Sequence, residues 1–373
     1  MTEKRNIPLF KVFMADTVAD ELKKVLYSGF IGEGPKVVEF ESKISNYVGH
    51  NKVLTLNSGT AGLQLAYHMA IDHAPNAEII STPITCTATN TPIITNNAKI
   101  VWADVDPMSG SIDPDDIERK ITKNTKAIVM VHWGGNPCDI ERINQIASAH
   151  GIKVIEDGAH SMGTEYNGKP VGNESDFVMH SLQAIKHITS VDGGILICKS
   201  EEDYKRGKLL RWYGINRETN DAKDLRCEID VVEAGYKAHM NDICATVGIE
   251  NFSNLNWIVS KHRENALFYN DAFKDIGSIN LIPENPKGKS AYWLYTFHVN
   301  NRDEVMAKLK ADGIGASKVH ARNDVHSMFK DFHAAELPNA QKFDDTHLCI
   351  PVGWWVTEDD REYIAEKVIK YSK

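Results

Sequence analysis

The chain has 373 residues, 42% of them hydrophobic and 25% charged, an ordinary balance for a folded protein that excludes disordered and collagen-like classes. Forty-two basic residues against 51 acidic ones give a formal net charge of −9, the wrong sign for gripping nucleic-acid phosphates, so no nucleic-acid partner is expected. No apolar run reaches the roughly 18 residues of a membrane span, and the first six residues lack the apolar core of a signal peptide, so a cytoplasmic protein with no membrane partner is expected.

In chain order, Val53 to Leu56 reads as a strand, and Gly59 to Ile71 as a helix with apolar Leu63, Leu65, Ala66 and Met69. Strands follow at Ile79-Ile80, Ile100 to Ala103, Lys126 to Val131 and Ile152 to Ile155, with a helical period from Asp139 to His150. Phe177 to Met179 and Ile195 to Ile197 add two more strands. Runs that are apolar on both faces and alternate with helices predict a doubly wound α/β domain around a mostly parallel sheet. Beyond it, His239 to about Asp275 reads as a long helical stretch broken near Ser253-Asn254. A turn-rich connector spans Pro283 to Gly288, Tyr295 to Val299 alternates like a half-exposed strand, and helices cover Asp303 to Asp312 and Thr357 to Tyr371. The predicted division is a large α/β domain over 20–249 and a smaller α+β domain over 250–373, with residues 1–19 packed beside the smaller one. Six cysteines (86, 138, 198, 227, 244, 349) lie scattered without a CxxC pair, which reads as reduced thiols and no metal.

Ligands of an open parallel sheet sit outside the carboxyl ends of its strands, and four segments there could carry chemistry. Asn57-Ser58-Gly59-Thr60-Ala61 joins a strand to a helix and could be an anion cradle, or a plain N-cap by Ser58. Asp157, in Glu156-Asp157-Gly158-Ala159-His160, could face a cationic ring nitrogen or a metal, or could cap a helix. Lys186, in the turn from Ser181 to Gly194, lies between apolar Ile185 and Ile188, where burial would free its amine for bonding to an aldehyde. Gly235 to Asp242 leads into the long helix and could simply be its cap. Cradle, strand-end aspartate, then a lysine 29 positions later (186 minus 157) is the order that pyridoxal phosphate demands: donors for the phosphate, a carboxylate for the pyridinium, an amine for the aldehyde.

Over nearly its whole length the chain resembles the DegT/DnrJ/EryC1/StrS sugar aminotransferases, of the fold-type I pyridoxal-phosphate enzymes. The resemblance is carried by Gly32-Glu33-Gly34-Pro35 with the Phe40-Glu41 helix, Ser58-Gly59-Thr60, Asp104-Val105-Asp106, Val131 to Pro137, Glu156 to His160, and Ser181 to Gly194. It implies that Ser58, Gly59, Thr60 and Ser181 hold the cofactor phosphate, that Asp157 pairs with the ring nitrogen, that His160 and Gln183 lie at the cofactor, and that Lys186 bonds its aldehyde. One branch has histidine in place of this lysine and dehydrates its substrate. Counting forward from Ser181 and back from Gly193-Gly194 puts Lys186, not His187, at that position, which supports transamination. Cys86 stands where the family usually stacks an aromatic residue on the ring. Lys237 stands where many members have an asparagine reaching the phosphate from the partner subunit, and His239 replaces the usual arginine two places on. Arg211 and Arg217 lie in the region bordering the sugar nucleotide, and His320 and Arg322 are further expected substrate contacts.

The resemblance implies a homodimer with shared active sites that aminates a keto sugar, most nearly a nucleotide-linked 4-keto-6-deoxy sugar of the perosamine type, using glutamate. Amination of a free octulosonate sugar acid, dehydration of a nucleotide sugar, and a non-catalytic regulator retaining the fold are the alternatives.

Overall fold

A computed structural model describes residues 5–217, 230–332 and 336–373. Its main sheet has seven strands: β1 (Val53–Leu56), β2 (Glu78–Ser81), β3 (Lys99–Trp102), β4 (Thr125–Val131), β5 (Lys153–Asp157), β6 (Phe177–Ser181) and β7 (Gly194–Cys198). They lie in the order β1-β7-β6-β5-β4-β2-β3. Only β7 runs against its neighbours, and every other pairing is parallel. The carboxyl ends of the six parallel strands therefore share one edge of the sheet.

The sheet is apolar on both faces because its side chains alternate between two cores. In β4, Ala127 and Val129 join a core with Leu63, Tyr67 and Trp102, while Ile128 and Met130 join one with Phe40, Ile143 and Ile258. β7 divides the same way, Leu196 and Cys198 to the first and Ile195 and Ile197 to the second. On the second side, helices Pro35–Val48 and Asp242–Phe252 are locked together by buried Asp242, which accepts from the backbone N–H of Gly34 (2.9 Å), Lys36 (3.2 Å) and Val37 (3.1 Å). Asn241, not Asp242, caps the second of these helices, accepting from Cys244 N.

A third core lies under an antiparallel sheet of β8 (Asn280–Leu281), β9 (Tyr295–His298) and β10 (His347–Ile350), covered by helices Leu255–Phe273, Arg302–Ala311 and Glu358–Tyr371. The predicted helical stretch breaks at Ser253-Asn254, as expected. The expectation of a half-exposed strand at Tyr295 is corrected, since β9 is buried on both faces. Tyr295 and Phe297 enter the third core, whereas the alternating polar residues dock on loops of the larger sheet: Thr296 accepts from Trp133 Nε1 (3.3 Å) and His298 Nε2 donates to the Met108 carbonyl (2.8 Å). Asp104, after β3, completes this docking by accepting from Asn339 N (3.1 Å) and Ala340 N (2.8 Å) at the start of helix Pro338–Thr346. Near the amino terminus, Ile7 is buried in the third core and bonds Gly313 and Gly315. Among the described residues, Cys86, Cys138, Cys198, Cys244 and Cys349 are free thiols, and Cys227 lies outside them. No helix among them is long and apolar enough to cross a membrane.

Candidate active site

The first helical turn after β1 presents backbone N–H groups that an α-helix cannot satisfy internally. Ser58 is its N-cap, its hydroxyl accepting from Ala61 N (3.1 Å), so the expected cap and the candidate anion cradle fall at one helix end. Thr60 is exposed there and Gly59 is buried. Gly59 lies so close to β6 that a Cβ would meet Met179 Sδ at 3.0 Å and Ser181 Cβ at 3.2 Å, which brings Ser181 to the cradle. The first residue of β7 presses in as closely: a Cβ on Gly194 would sit 2.4 Å from the Ser58 carbonyl oxygen. Gln183 is exposed beside this cradle, and its side-chain oxygen accepts from Ile185 N (3.1 Å).

Asp157 ends β5 with its carboxylate buried. Thr89 Oγ1 donates to Oδ2 at 2.6 Å and Ala159 N to Oδ1 at 3.0 Å. Burial raises its pKa, opposed by these two donors and by the charge of Lys186, so a cation seated against it is favoured. Burial lowers the Lys186 amine to about 8, with the charges of Asp157 and Cys86 pulling it back upward. Lys186 Nζ lies 3.7 Å from the centroid of the Trp293 ring. Trp293 is itself 3% exposed, stacks on His160 (3.9 Å, 21°) and on Phe10 (4.9 Å, 24°), and donates from Nε1 to the Ile185 carbonyl (2.8 Å). Two neighbouring imidazoles hold the same segment, His187 donating to the Ala291 carbonyl (3.0 Å) and His262 to that of Tyr292 (2.8 Å). His160 is kept neutral by burial, its pKa well below the ordinary value. Gly134 N–H donates to its Nδ1 (3.4 Å), which leaves the ring proton on Nε2. Gly135 (φ 97°) permits the close packing beneath, because a Cβ there would meet the His160 carbonyl oxygen and Tyr292 N, each at 3.0 Å.

The loop after Ala316 closes the other side. Val319 takes φ 66°, a left-handed conformation that a β-branched residue rarely adopts, immediately before His320. The His320 ring lies parallel to that of His160 (6.1 Å, 9°), its Nε2 is buried without a partner among the described residues, and burial holds its pKa near 4. Buried Asn323 fixes the loop: its backbone N donates to Pro83 O (2.9 Å), its Nδ2 to Thr85 O (2.7 Å), and its Oδ1 accepts from Asn90 Nδ2 (2.9 Å). The small antiparallel sheet's loop is thereby stitched to the Cys86 turn. Arg322 is engaged by Asp324 through two bonds (3.0 and 2.6 Å) and by Gln341 (2.6 Å).

Arg211 and Arg217 belong to a different group. Arg211 is buried, bonding Glu41 (2.6 Å), Glu33 (2.8 Å) and the Thr55 carbonyl (3.2 Å), a setting for fixing β1 rather than for a free substrate-facing cation. Arg217 also bonds Glu33 and covers the Trp212 ring at 4.5 Å. Together they line a cavity of about 440 Å³ with Glu33, Glu41 and Trp212, and none of Asp157, His160 and Lys186 lines it. Lys237 is exposed, with Nζ 3.5 Å from the Trp212 ring centroid, yet its carbonyl accepts from Asn57 Nδ2 (3.1 Å), the residue before the cradle.

The family model of the DegT/DnrJ/EryC1/StrS aminotransferases matches residues 13–369. The chain belongs to this family. The fold of this aminotransferase superposes on the sugar aminotransferase CalS13 from Micromonospora echinospora with a TM-score of 0.94, at 35% identity over 98% of this chain and 99% of that one. It is 32% identical to the UDP-4-amino-4-deoxy-L-arabinose–oxoglutarate aminotransferase of Shewanella sediminis, over 83% of this chain and 82% of the relative. It is 30% identical to the spore coat polysaccharide biosynthesis protein SpsC of Bacillus subtilis, over 99% and 98%. The enzyme is a sugar aminotransferase of the fold-type I class, and its cofactor is pyridoxal phosphate.

The residues present fit that cofactor. Gly59 and Gly194 keep Cβ atoms out of a cradle of helix N–H groups, Asp157 is a buried carboxylate, and Lys186 is a buried amine of depressed pKa on the same side of the sheet. Sequence reasoning passed over Thr89, Trp293 and Asn323. Thr89 lies in the stretch after β2 that drew notice for Cys86, and a hydroxyl one helical turn from that position was its signal. Trp293 and Asn323 carry no periodic or motif signal, since only the packing of β9 and its loops brings them to the site.

Proposed function

We propose that this aminotransferase converts a nucleotide-linked 4-keto-6-deoxy sugar to the amino sugar, with glutamate as donor, in cytoplasmic homodimers whose two sites are shared. The observation that carries the reading is the gathering of Lys186, Asp157 and His160 in one buried cluster. Bound there, pyridoxal phosphate supplies an electron sink for the substrate's amino-bearing carbon. Gly59, Thr60 and Ser181 hold its phosphate, with Ser58 shaping the cradle and Gln183 at its rim. Asp157 keeps the ring nitrogen protonated, and His160 donates from Nε2 toward the ring hydroxyl. Lys186 Nζ takes a proton from the amino-bearing carbon of the donor and returns one to the sugar carbon, work suited to an amine that titrates near 8. His320 is the proposed sugar-side contact, with Arg322 positioning its loop, while Arg217, in the separate cavity that Arg211 helps to wall, is proposed to meet the nucleotide end of the substrate. Lys237 supplies the partner subunit's phosphate charge from a segment that already borders Asn57.

The name of the Shewanella sediminis relative contains both a nucleotide-linked 4-amino sugar and oxoglutarate, the keto acid of glutamate, and this supports the nucleotide linkage, amination at the fourth carbon and the glutamate donor. The test is a panel of keto sugars, free and nucleotide-linked, incubated with enzyme and glutamate and read by mass spectrometry. Amination confined to nucleotide-linked sugars is the expected result, and turnover of a free sugar acid alone would overturn the reading.

A further inference from the structure

On the opposite end of the cradle helix Gly59–Ile71, two residues without glycine's freedom, Asp72 (φ 47°) and His73 (φ 58°), both take the left-handed region. The turn brings His73 beside His68, ring centroids 5.6 Å apart, and both face one carboxylate. His68 Nε2 lies 2.8 Å and His73 Nε2 3.4 Å from Glu233 Oε1, and one ligand atom from each of the three residues lies within 4.8 Å of the others.

Hydrogen bonds fix the proton positions. Asn96 Nδ2 donates to the Gln64 and Pro92 carbonyls (3.2 and 2.8 Å), so its Oδ1 is the acceptor for the Tyr236 hydroxyl (3.1 Å). The Tyr236 oxygen then accepts from His68 Nδ1 (2.9 Å), so Nε2 is the ring nitrogen turned to the Glu233 carboxylate. Arg206 grips Glu233 as well, from Nε to Oε2 (3.0 Å) and from Nη2 to Oε1 (2.7 Å), while its own charge is met by Asp72 (2.8 Å). Outer groups that orient histidine and carboxylate ligands, here Tyr236 and Arg206, are what metal sites require. A cavity of about 300 Å³ lined by His68, His73, Asn96 and Tyr236 leaves room for the ion's waters.

We propose that His68, His73 and Glu233 bind a divalent cation of the zinc class, for which two imidazoles and a carboxylate are a suitable donor set. The ion ties the segment leading into Lys237 to the helix whose other end is the cradle. Tag-free holoenzyme is stripped with EDTA and titrated calorimetrically with zinc chloride, bound metal being counted by mass spectrometry. The expected result is one zinc per chain. His73→Ala, which alters a side chain 70% exposed, is expected to bind at least about tenfold more weakly with its transamination rate unchanged. His150→Ala, an exposed histidine elsewhere, is expected to bind like the wild type. Lack of saturable binding, or an equal loss in both variants, overturns the site and leaves His68 as a hydrogen-bond partner of Glu233. The readout is metal content, so it stands or falls independently of the sugar assigned above.

Discussion

The buried Lys186 amine sets a measurable pH dependence for cofactor capture. A lysine in water titrates at 10.5, whereas Lys186 is lowered to about 8 by burial. At pH 7 that gives roughly 10% reactive free amine instead of about 0.03%, an advantage on the order of 300-fold, equivalent to about 3 kcal/mol. Cofactor-free enzyme mixed with limiting pyridoxal phosphate between about pH 6 and 10, followed by visible absorbance, is expected to react at a rate that rises with pH and levels off with a midpoint near 8. Because the Asp157 charge pulls the amine upward, Asp157→Asn is expected to move that midpoint lower. The same shift has a sign in stability. Unfolded Lys186 keeps its proton to pH 10.5 and folded Lys186 only to about 8, so the cofactor-free fold is penalised below pH 8 and relieved as pH rises toward 10.5. Lys186→Met is expected to remove that penalty, stabilising the cofactor-free protein at pH 7 by up to about 3 kcal/mol while abolishing turnover. A capture midpoint near 10, or a destabilised Lys186→Met, would refute the buried-amine reasoning.

Thr89→Val deletes the 2.6 Å donor to Asp157 and leaves a buried carboxylate oxygen short of a partner, so denaturant unfolding should show a loss of about 1–3 kcal/mol and turnover should fall. Asn323→Ala unpairs Asn90 and the Thr85 carbonyl of the Cys86 turn; it is expected to raise the KM for the keto sugar well above that for glutamate, as steady-state kinetics would show. Gly194→Ala drives a Cβ to 2.4 Å from the Ser58 carbonyl oxygen and 2.6 Å from Gly59 N, backbone atoms that cannot rotate away, and a retained wild-type melting temperature and cofactor affinity would contradict the packed cradle.

Much of this site was legible in the sequence because its parts are tied to strand ends. Apolar runs such as Lys126 to Val131 placed the strands, and in a parallel sheet the residues just after them are the ones that meet. Asp157, His160, Ser181 and Lys186 follow from that rule, aided by family resemblance. Trp293 did not, because its position beside Lys186 depends on hydrogen bonds to Ile185, Ala291 and Tyr292 that no local pattern announces. Tyr295–His298 misled for a related reason: alternation distinguishes polar from apolar faces, and the polar face here meets Trp133 and Met108 rather than water. Arg211 looked like a ligand cation, yet two glutamates far away in sequence, Glu33 and Glu41, claim it.

The Asp242 clamp also bears on how the chain is made. The amide groups it holds, at Gly34, Lys36 and Val37, precede it by 205 to 208 residues, and the strand paired with β1, β7, begins at Gly194. A ribosome adding about 5–20 residues per second leaves that gap open for roughly 10–40 s. Throughout that interval helix Pro35–Val48 offers Phe40 and Ile44 with no helix Asp242–Phe252 to cover them, and β1 stays an unpaired strand until β7 has been made. The nascent stretch from Gly34 to Leu56 thus has a long wait for its partners and stands to gain from a chaperone during translation.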